Sequence, residues 1–167
     1  ADCIAPDVGR AAKEVANGSL WTIPHYKLYR LTENATSLIV RGEDPRKVAN
    51  DRGNLSQAAY PGYAGGGITV LRRDVYERVP LDPRFRGWGQ EDESWALALR
   101  LLCGSPWRSD GPIWHLWHPP QQRLSRTTGS FASRDLLQQY RRIHSRAGME
   151  RFLAPARNLL GAEAVKA

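Results

Sequence analysis

The spacing of apolar and polar residues along the chain predicts short strands separated by helices. The stretch "SLWTIPHYKLYRLT" is rich in aromatic and β-branched residues and predicts one or two strands, interrupted at Pro24. "GITVLR" predicts a short buried strand, and "GPIWHLWHPP" predicts another that must end at Pro119. Because helical patterns alternate with these strands, the sequence predicts an α/β fold with a small mixed sheet flanked by helices.

Helical spacing is clearest in residues 91–103. Three acids occupy the first turn of this predicted helix, and Gly104 follows its last turn, as is typical of helix ends. The apolar face of this helix consists of Trp95, Ala98, Leu99 and Leu102. Residues 7–16 and the stretch "RDVYERV" predict two shorter helices, and "SRDLLQQYRRIHSRAG" predicts an amphipathic helix with a weaker one after it. We therefore expect a helical tail over residues 121–167, after a main part over residues 1–120.

The segment 41–66 is polar and is interrupted by glycine and proline. It predicts a long connection without regular structure, and a connection of that length is usually functional or disordered.

Composition places the chain among globular proteins, with 41% hydrophobic and 25% charged residues. No apolar run approaches the roughly 20 residues that cross a bilayer, so we expect no transmembrane segment. Cys3 and Cys103 form no spacing pattern typical of disulfides or metal sites. This favours a reducing compartment, and we expect a cytoplasmic protein.

The net charge of +7 raises nucleic acid as a partner. However, residues 121–167 carry nine basic and three acidic side chains, and so contribute +6 of that charge. This tail has few aromatic residues on which bases could stack. A nucleic-acid-binding module therefore stays the least favoured hypothesis.

Three adjacent acids, Glu91, Asp92 and Glu93, follow Trp88 and its flanking glycines. One explanation is capping, since acids stabilise the beginning of a helix. One or two acids would be enough for capping, and a third adds repulsion. The other explanation is a carboxylate site beneath an aromatic ring, which suits sugars, and a carboxylate on a rigid helix end can act as a general base. Capping remains the simplest role for Glu93.

The stretch "HLWH" contains two candidate metal ligands, His115 and His118. On a strand, this spacing places the two rings on opposite faces, so that at least one of them only packs. The alternative is a metal site.

Three motifs occur in the order found in a known family: "AGGGITVLRRDVYERV", "DPRFRGWGQEDESWALALRLLCG" and "IWHLWH". Together they resemble the C-terminal region of GT-A-fold glycosyltransferases, shared by β-1,4-galactosyltransferases and related bacterial and phage enzymes. The resemblance covers roughly residues 60–120 well and residues 1–59 loosely. Gln90 departs from the pattern, because relatives often have glycine there.

The resemblance implies roles for particular residues. Asp92 matches the catalytic base of inverting members, Glu91 matches the acid that binds the acceptor sugar, and Trp88 matches the tryptophan of a mobile loop that closes over both substrates. Gly66 and Gly67 belong to the glycine motif before the strand. Apart from the resemblance, Tyr63 beside the "PG" turn is a candidate for the acceptor cleft, and the alternative is that it only holds its loop in place.

The resemblance also implies a site for Mn²⁺ or another divalent cation. His115 best matches the metal-binding histidine, and His118 is the second choice. Asp2, in "ADC", resembles the second aspartate of a D-x-D metal motif. In the family the nucleotide pocket precedes this motif, so we expect the chain to be the acceptor and metal half, with a nucleotide-binding half missing before it.

The predicted function is that of a metal-dependent inverting glycosyltransferase, or of its catalytic C-terminal half. It would transfer a hexose or N-acetylhexosamine from a UDP-sugar to a hydroxyl of a carbohydrate or glycosylated acceptor. The alternative is a non-catalytic carbohydrate-binding or scaffold fragment that needs a partner chain.

Overall fold

A computed structural model describes residues 2–62, 66–85, 89–119 and 129–164, with the backbone alone at 129–130 and 161–164. Within these ranges the chain is mixed α/β, with two small mixed sheets flanked by helices. The strands are β1 (Cys3–Ile4), β2 (Trp21–Ile23), β3 (Lys27–Arg30), β4 (Tyr60–Pro61), β5 (Val70–Leu71), β6 (Trp107–Arg108) and β7 (Pro112–His115). The helices are α1 (Val8–Ala16), α2 (Glu33–Val40), α3 (Pro45–Asn50), α4 (Arg73–Arg78), α5 (Glu91–Cys103), α6 (Gly129–Arg142) and α7 (Arg146–Ala164).

The two sheets both combine parallel and antiparallel pairs. The larger has the order β1-β7-β3-β4, in which β7 and β3 are parallel and the outer pairs are antiparallel. The smaller has the order β5-β2-β6, with β2 parallel to β6 and antiparallel to β5. Pro24 separates β2 from β3, as the sequence predicts, so that one apolar stretch contributes a strand to each sheet.

The main core lies between the smaller sheet and helices α4 to α7. The predicted apolar face of α5 is confirmed, because Trp95, Ala98, Leu99 and Leu102 are all buried. The tail helices contribute Leu136, Tyr140, Met149 and Leu153 to the same cluster. The boundary expected at residue 120 stays a prediction, but the described helices after it share the core of α5. None of the described helices is long and apolar enough to cross a bilayer.

The prediction that residues 41–66 form a long connection without regular structure is wrong in part. Helix α3 and a 3₁₀ turn at Arg52–Asn54 lie within this segment. Each of these short elements begins at an aspartate. The Asp44 carboxylate accepts a hydrogen bond of 2.8 Å from the Arg46 N–H, and the Asp51 carboxylate accepts one of 2.8 Å from the Gly53 N–H. The polar residues of this segment therefore cap short helices, which apolar periodicity alone does not detect.

Candidate functional site

The turn before α5 has an unusual backbone. Gly89 has φ 94° and Gln90 has φ 79°, so two successive residues are left-handed. Gln90 is the only non-glycine residue with positive φ in the described part of the chain. A side chain in that conformation costs about 1–2 kcal/mol. Strain of this kind persists where the surrounding structure requires it, often at functional sites.

The three acids that begin α5 have different surroundings. Glu93 lies in the first turn of α5, as its predicted capping role requires, and it also forms an ion pair. Its Oε1 accepts hydrogen bonds from the Arg141 guanidinium, at 3.0 Å from Nε and 2.6 Å from Nη2. This exposed ion pair joins α5 to α6, and Glu93 is therefore separate in function from the other two acids.

Asp92 has the electrostatics of a general base. Desolvation by neighbouring protein atoms, together with the charge of Glu91, raises the pKa of Asp92 to about 6. The side chain still keeps an exposed surface, so the carboxylate is crowded but can be reached. At pH 7 a carboxyl with this pKa is mostly ionised, and it is more basic than an ordinary aspartate. Both properties suit the removal of a proton from a hydroxyl.

Glu91 lines a pocket of about 340 Å³ next to the beginning of α5. Its Oε2 is shielded from water and has no hydrogen-bond partner among the described residues. The same holds for Oε1 of Gln90. A buried acceptor without a donor is destabilising, and so these two oxygens indicate a place where a donor from a ligand would bind favourably.

A buried polar network holds the segment that leads to this site, and the sequence analysis missed it. Asp82 is 6% exposed. Its carboxylate accepts hydrogen bonds from the Arg84 guanidinium, the shortest being 2.6 Å, and one of 2.7 Å from the Tyr140 hydroxyl of α6. Arg84 Nη2 also donates to the Phe152 carbonyl of α7 at 3.1 Å. A charged pair within "DPRFRG", between apolar residues, is the signal that could have indicated it.

The hydrogen bonds of this network keep Asp82 ionised and Tyr140 protonated. Burial alone would raise the pKa of Asp82, but hydrogen bonds from Arg84 and Tyr140 hold it below its usual value. Burial and the Asp82 carboxylate raise the pKa of Tyr140, so its hydroxyl stays a donor. The network therefore joins both tail helices to the residues just before the tryptophan-glycine motif.

The two predicted glycines Gly66 and Gly67 pack against a buried histidine. His25 is fully buried, and its Nε2 donates to the Gly66 carbonyl at 3.1 Å. Burial, followed by the charge of Arg108, lowers the pKa of His25, so the ring is neutral. A Cβ on Gly67 would lie 2.9 Å from Cδ1 of Ile113 and 3.1 Å from His25 Nε2. Close packing thus explains the glycine at 67, and substrate binding by these residues stays a prediction.

His115 and His118 are brought together, contrary to the expectation that they lie on opposite faces of a strand. Strand β7 ends at His115, and the chain then leaves the sheet, where the Trp117 N–H donates to Oγ1 of Thr36 at 2.8 Å. The ring centroids of the two histidines are 5.3 Å apart. Asp2 is adjacent, because its carbonyl accepts a hydrogen bond of 2.8 Å from Leu116.

This histidine pair has two of the properties that a metal site requires. Burial, Arg30 and His118 lower the pKa of His115, which keeps the ring in the neutral form that binds metal ions. Imidazole and carboxylate ligands suit Mn²⁺. However, no three His, Cys, Asp or Glu side chains of the described residues are placed to hold an ion together. The protein ligands fit a divalent cation only in part, and other ligands would have to complete its coordination.

The predicted acids and metal ligands therefore form two groups, one at the beginning of α5 and one at the end of β7, and Gly66 and Gly67 lie beside His25. Hydrogen bonds, ion pairs and ring contacts of the described residues connect neither Asp92 nor Glu91 to the histidines. Trp88 and Tyr63 lie outside the described residues.

Comparison of the chain with models of protein families, with curated proteins and with solved structures finds no match. The resemblance of the motifs to glycosyltransferases thus stays a hypothesis that depends on the residues themselves.

Proposed function

We propose that this chain carries the catalytic part of a metal-dependent inverting glycosyltransferase with a GT-A-type arrangement. It transfers a hexose or N-acetylhexosamine from a UDP-sugar to a hydroxyl of a carbohydrate or glycosylated acceptor. The observation that carries the proposal is the Asp92 carboxylate, which lies at the beginning of a rigid helix with a pKa of about 6. Next to it, Glu91 has a buried oxygen without a partner among the described residues.

In this proposal Asp92 accepts the proton of the acceptor hydroxyl as its oxygen attacks the anomeric carbon of the donor. The new bond joins that carbon to the acceptor oxygen. The bond between the same carbon and the diphosphate oxygen, which lies on the opposite side, breaks and releases UDP, so the configuration at the carbon is inverted. Glu91 accepts a hydrogen bond from the acceptor and orients it. Positioned general bases of this kind accelerate reactions by roughly 10²–10⁴-fold.

The metal ion has a limited role in the proposal. A bound divalent cation would neutralise the charge that develops on the departing diphosphate. The adjacent rings of His115 and His118 would hold it, and diphosphate and water oxygens would complete its ligands.

We also propose that the protein works in the cytoplasm. Cys3 and Cys103 are free thiols and are half-buried. Unpaired cysteines are typical of proteins kept in a reducing compartment.

The first test of the donor site is calorimetric titration of Mn²⁺ and UDP into the chain. We expect UDP binding that requires the metal and is weakened in His115→Ala. His144→Ala is the matched control, because His144 is exposed, lies between α6 and α7, and is not one of the predicted metal ligands. Equal binding by all three proteins would overturn the metal assignment, and absence of binding would exclude a donor site within this chain.

The second test measures UDP release from a panel of UDP-sugars with glycoside acceptors. Asp92→Asn should lower kcat by about 10²-fold or more while UDP still binds. Asp135→Asn, an exposed aspartate on α6, is the control and should leave the rate unchanged. Acceptor binding without UDP release in the unaltered chain would favour the carbohydrate-binding alternative instead.

A further inference from the structure

The pocket beside Glu91 is bounded by helix α4, by the segment that joins α4 to α5, and by the end of α7, which is distant from both in sequence. Most of its surface is apolar. The apolar wall consists of Tyr76, Leu81, Pro83, Phe85 and Leu160. A volume of about 340 Å³ is within the range of small-molecule sites, at its lower end.

Few polar groups of this pocket are available to a ligand. Asp82 also lines it, but both of its oxygens already accept hydrogen bonds from Arg84 and Tyr140. What remains among the described lining is the Glu91 carboxylate, with its buried Oε2, and the hydroxyl of Tyr76. The pocket therefore offers hydrogen bonds at very few points and apolar contact elsewhere.

This balance distinguishes between two classes of acceptor. A second sugar ring would bring several hydroxyls into the pocket, and each one buried without a partner weakens binding by roughly fivefold or more. An apolar ring or chain loses no hydrogen bonds there and gains contact with aromatic and aliphatic side chains. The pocket is thus better matched to an apolar group attached to a sugar than to a longer oligosaccharide.

We propose that this pocket binds the apolar aglycone of a glycoside acceptor, while Glu91 accepts a hydrogen bond from the sugar that carries it. The inference rests on the proposed function, since it places the acceptor sugar at Glu91 and Asp92. The tail helix α7 then contributes directly to substrate selection through Leu160.

The test compares methyl and phenyl β-glycosides of glucose and of N-acetylglucosamine, each titrated calorimetrically into the full chain without donor. Partial burial of a phenyl ring in this open pocket corresponds to about tenfold tighter binding than the methyl glycoside. Leu160→Ala should remove most of this preference. Leu159→Ala is the matched control: the neighbouring leucine is exposed, does not line the pocket, and should leave the preference unchanged. Glu91→Gln should weaken the binding of both the methyl and the phenyl glycoside of each sugar.

Three results would overturn the proposal: equal affinity for methyl and phenyl glycosides, a phenyl preference that survives Leu160→Ala, or no binding of either probe at millimolar concentration. If Leu160→Ala disturbs folding, Tyr76→Ala alters another apolar part of the lining and gives the same comparison. These results are separable from those of the transfer assay. A preference for phenyl glycosides without any transfer would support aglycone binding in the pocket and overturn the proposed catalytic function. Equal transfer to methyl and phenyl glycosides would support the catalytic function and overturn aglycone binding.

Discussion

Replacing Tyr140 by phenylalanine removes a single atom from the network that holds the segment before α5. The hydroxyl donates to the Asp82 carboxylate at 2.7 Å, and Tyr140 is 2% exposed, so water does not replace the lost donor. The ring keeps its contacts, with its centroid 4.9 Å from that of Phe152 and 6.0 Å from that of Phe85. The substitution therefore tests the hydrogen bond rather than the packing.

The magnitude follows from the partners of Asp82. A hydrogen bond to a charged group contributes about 1.5–3 kcal/mol to the free energy of unfolding. Asp82 keeps its contacts with Arg84 after the substitution, so it is not left unpaired and the upper end does not apply. We expect a loss of about 1.5–2 kcal/mol at pH 7, which lowers Tm by about 3–8 °C in a chain of this size.

Urea unfolding at 25 °C measures this loss, and Tyr76→Phe is the control. The Tyr76 hydroxyl has no hydrogen bond with the described residues, and the residue is 37% exposed. The control should change the free energy of unfolding by less than about 0.5 kcal/mol. A loss in Tyr140→Phe no larger than that of the control would refute a stabilising role for this network.

Acid provides a second check on the same network. The folded pKa of Asp82 is below its unfolded value, because hydrogen bonds from Arg84 and Tyr140 outweigh the opposing effect of burial. The carboxylate therefore contributes stability above the unfolded pKa of about 4, and this contribution is lost as pH falls through the folded pKa. The difference between Tyr140→Phe and the unaltered chain should shrink below about pH 4. An undiminished difference at lower pH would contradict the charged-acceptor explanation.

Three further predictions follow from backbone and charge. The kcat/KM of transfer should rise with pH through about 6 as Asp92 ionises, and this rise should be absent in Asp92→Asn; the same profile in both proteins would exclude Asp92 as the base. Gln90→Gly should raise the free energy of unfolding by about 0.5–1 kcal/mol in urea, because relief of left-handed strain exceeds the entropy that glycine loses; a loss of stability would show that the Gln90 side chain is needed. Gly67→Ala should lower the free energy of unfolding by about 2–4 kcal/mol, because Gly67 has a φ of 86° and a new Cβ would lie too close to Ile113. Gly9→Ala in α1 is the control, since a Cβ there meets open space, and it should be neutral or stabilising. Equal effects of the two substitutions would refute the packing explanation.

Much of the fold could be predicted because local forces determine it. The bounds of α5 follow from the apolar face, the acids at its beginning and Gly104 after its end, all of which act within one or two helical turns. The division of one apolar stretch into β2 and β3 follows from Pro24, which cannot donate to a ladder. For α3, the local signal was present in Asp44 and Pro45, but a six-residue helix is too short for apolar periodicity to show.

The candidate site was only partly predictable. Proximity in sequence was enough to predict that Glu91 and Asp92 interact, because adjacent acids at a helix beginning do so whatever the rest of the chain does. It was not enough for His115 and His118, whose relative position depends on where the chain leaves the sheet. Strand spacing predicts opposite faces only while the strand continues, and that depends on the partner strands.

By itself the sequence determined the elements with strong periodicity, the acidic first turn of α5 and the glycines at its two ends, because these depend on neighbours along the chain. Only the tertiary structure decided that Asp82 pairs with a tyrosine 58 residues away, that α7 forms a wall of the Glu91 pocket, and that Glu93 binds Arg141 of α6. Such contacts join segments that meet when the core is packed, and no local preference of the chain specifies which segments those are.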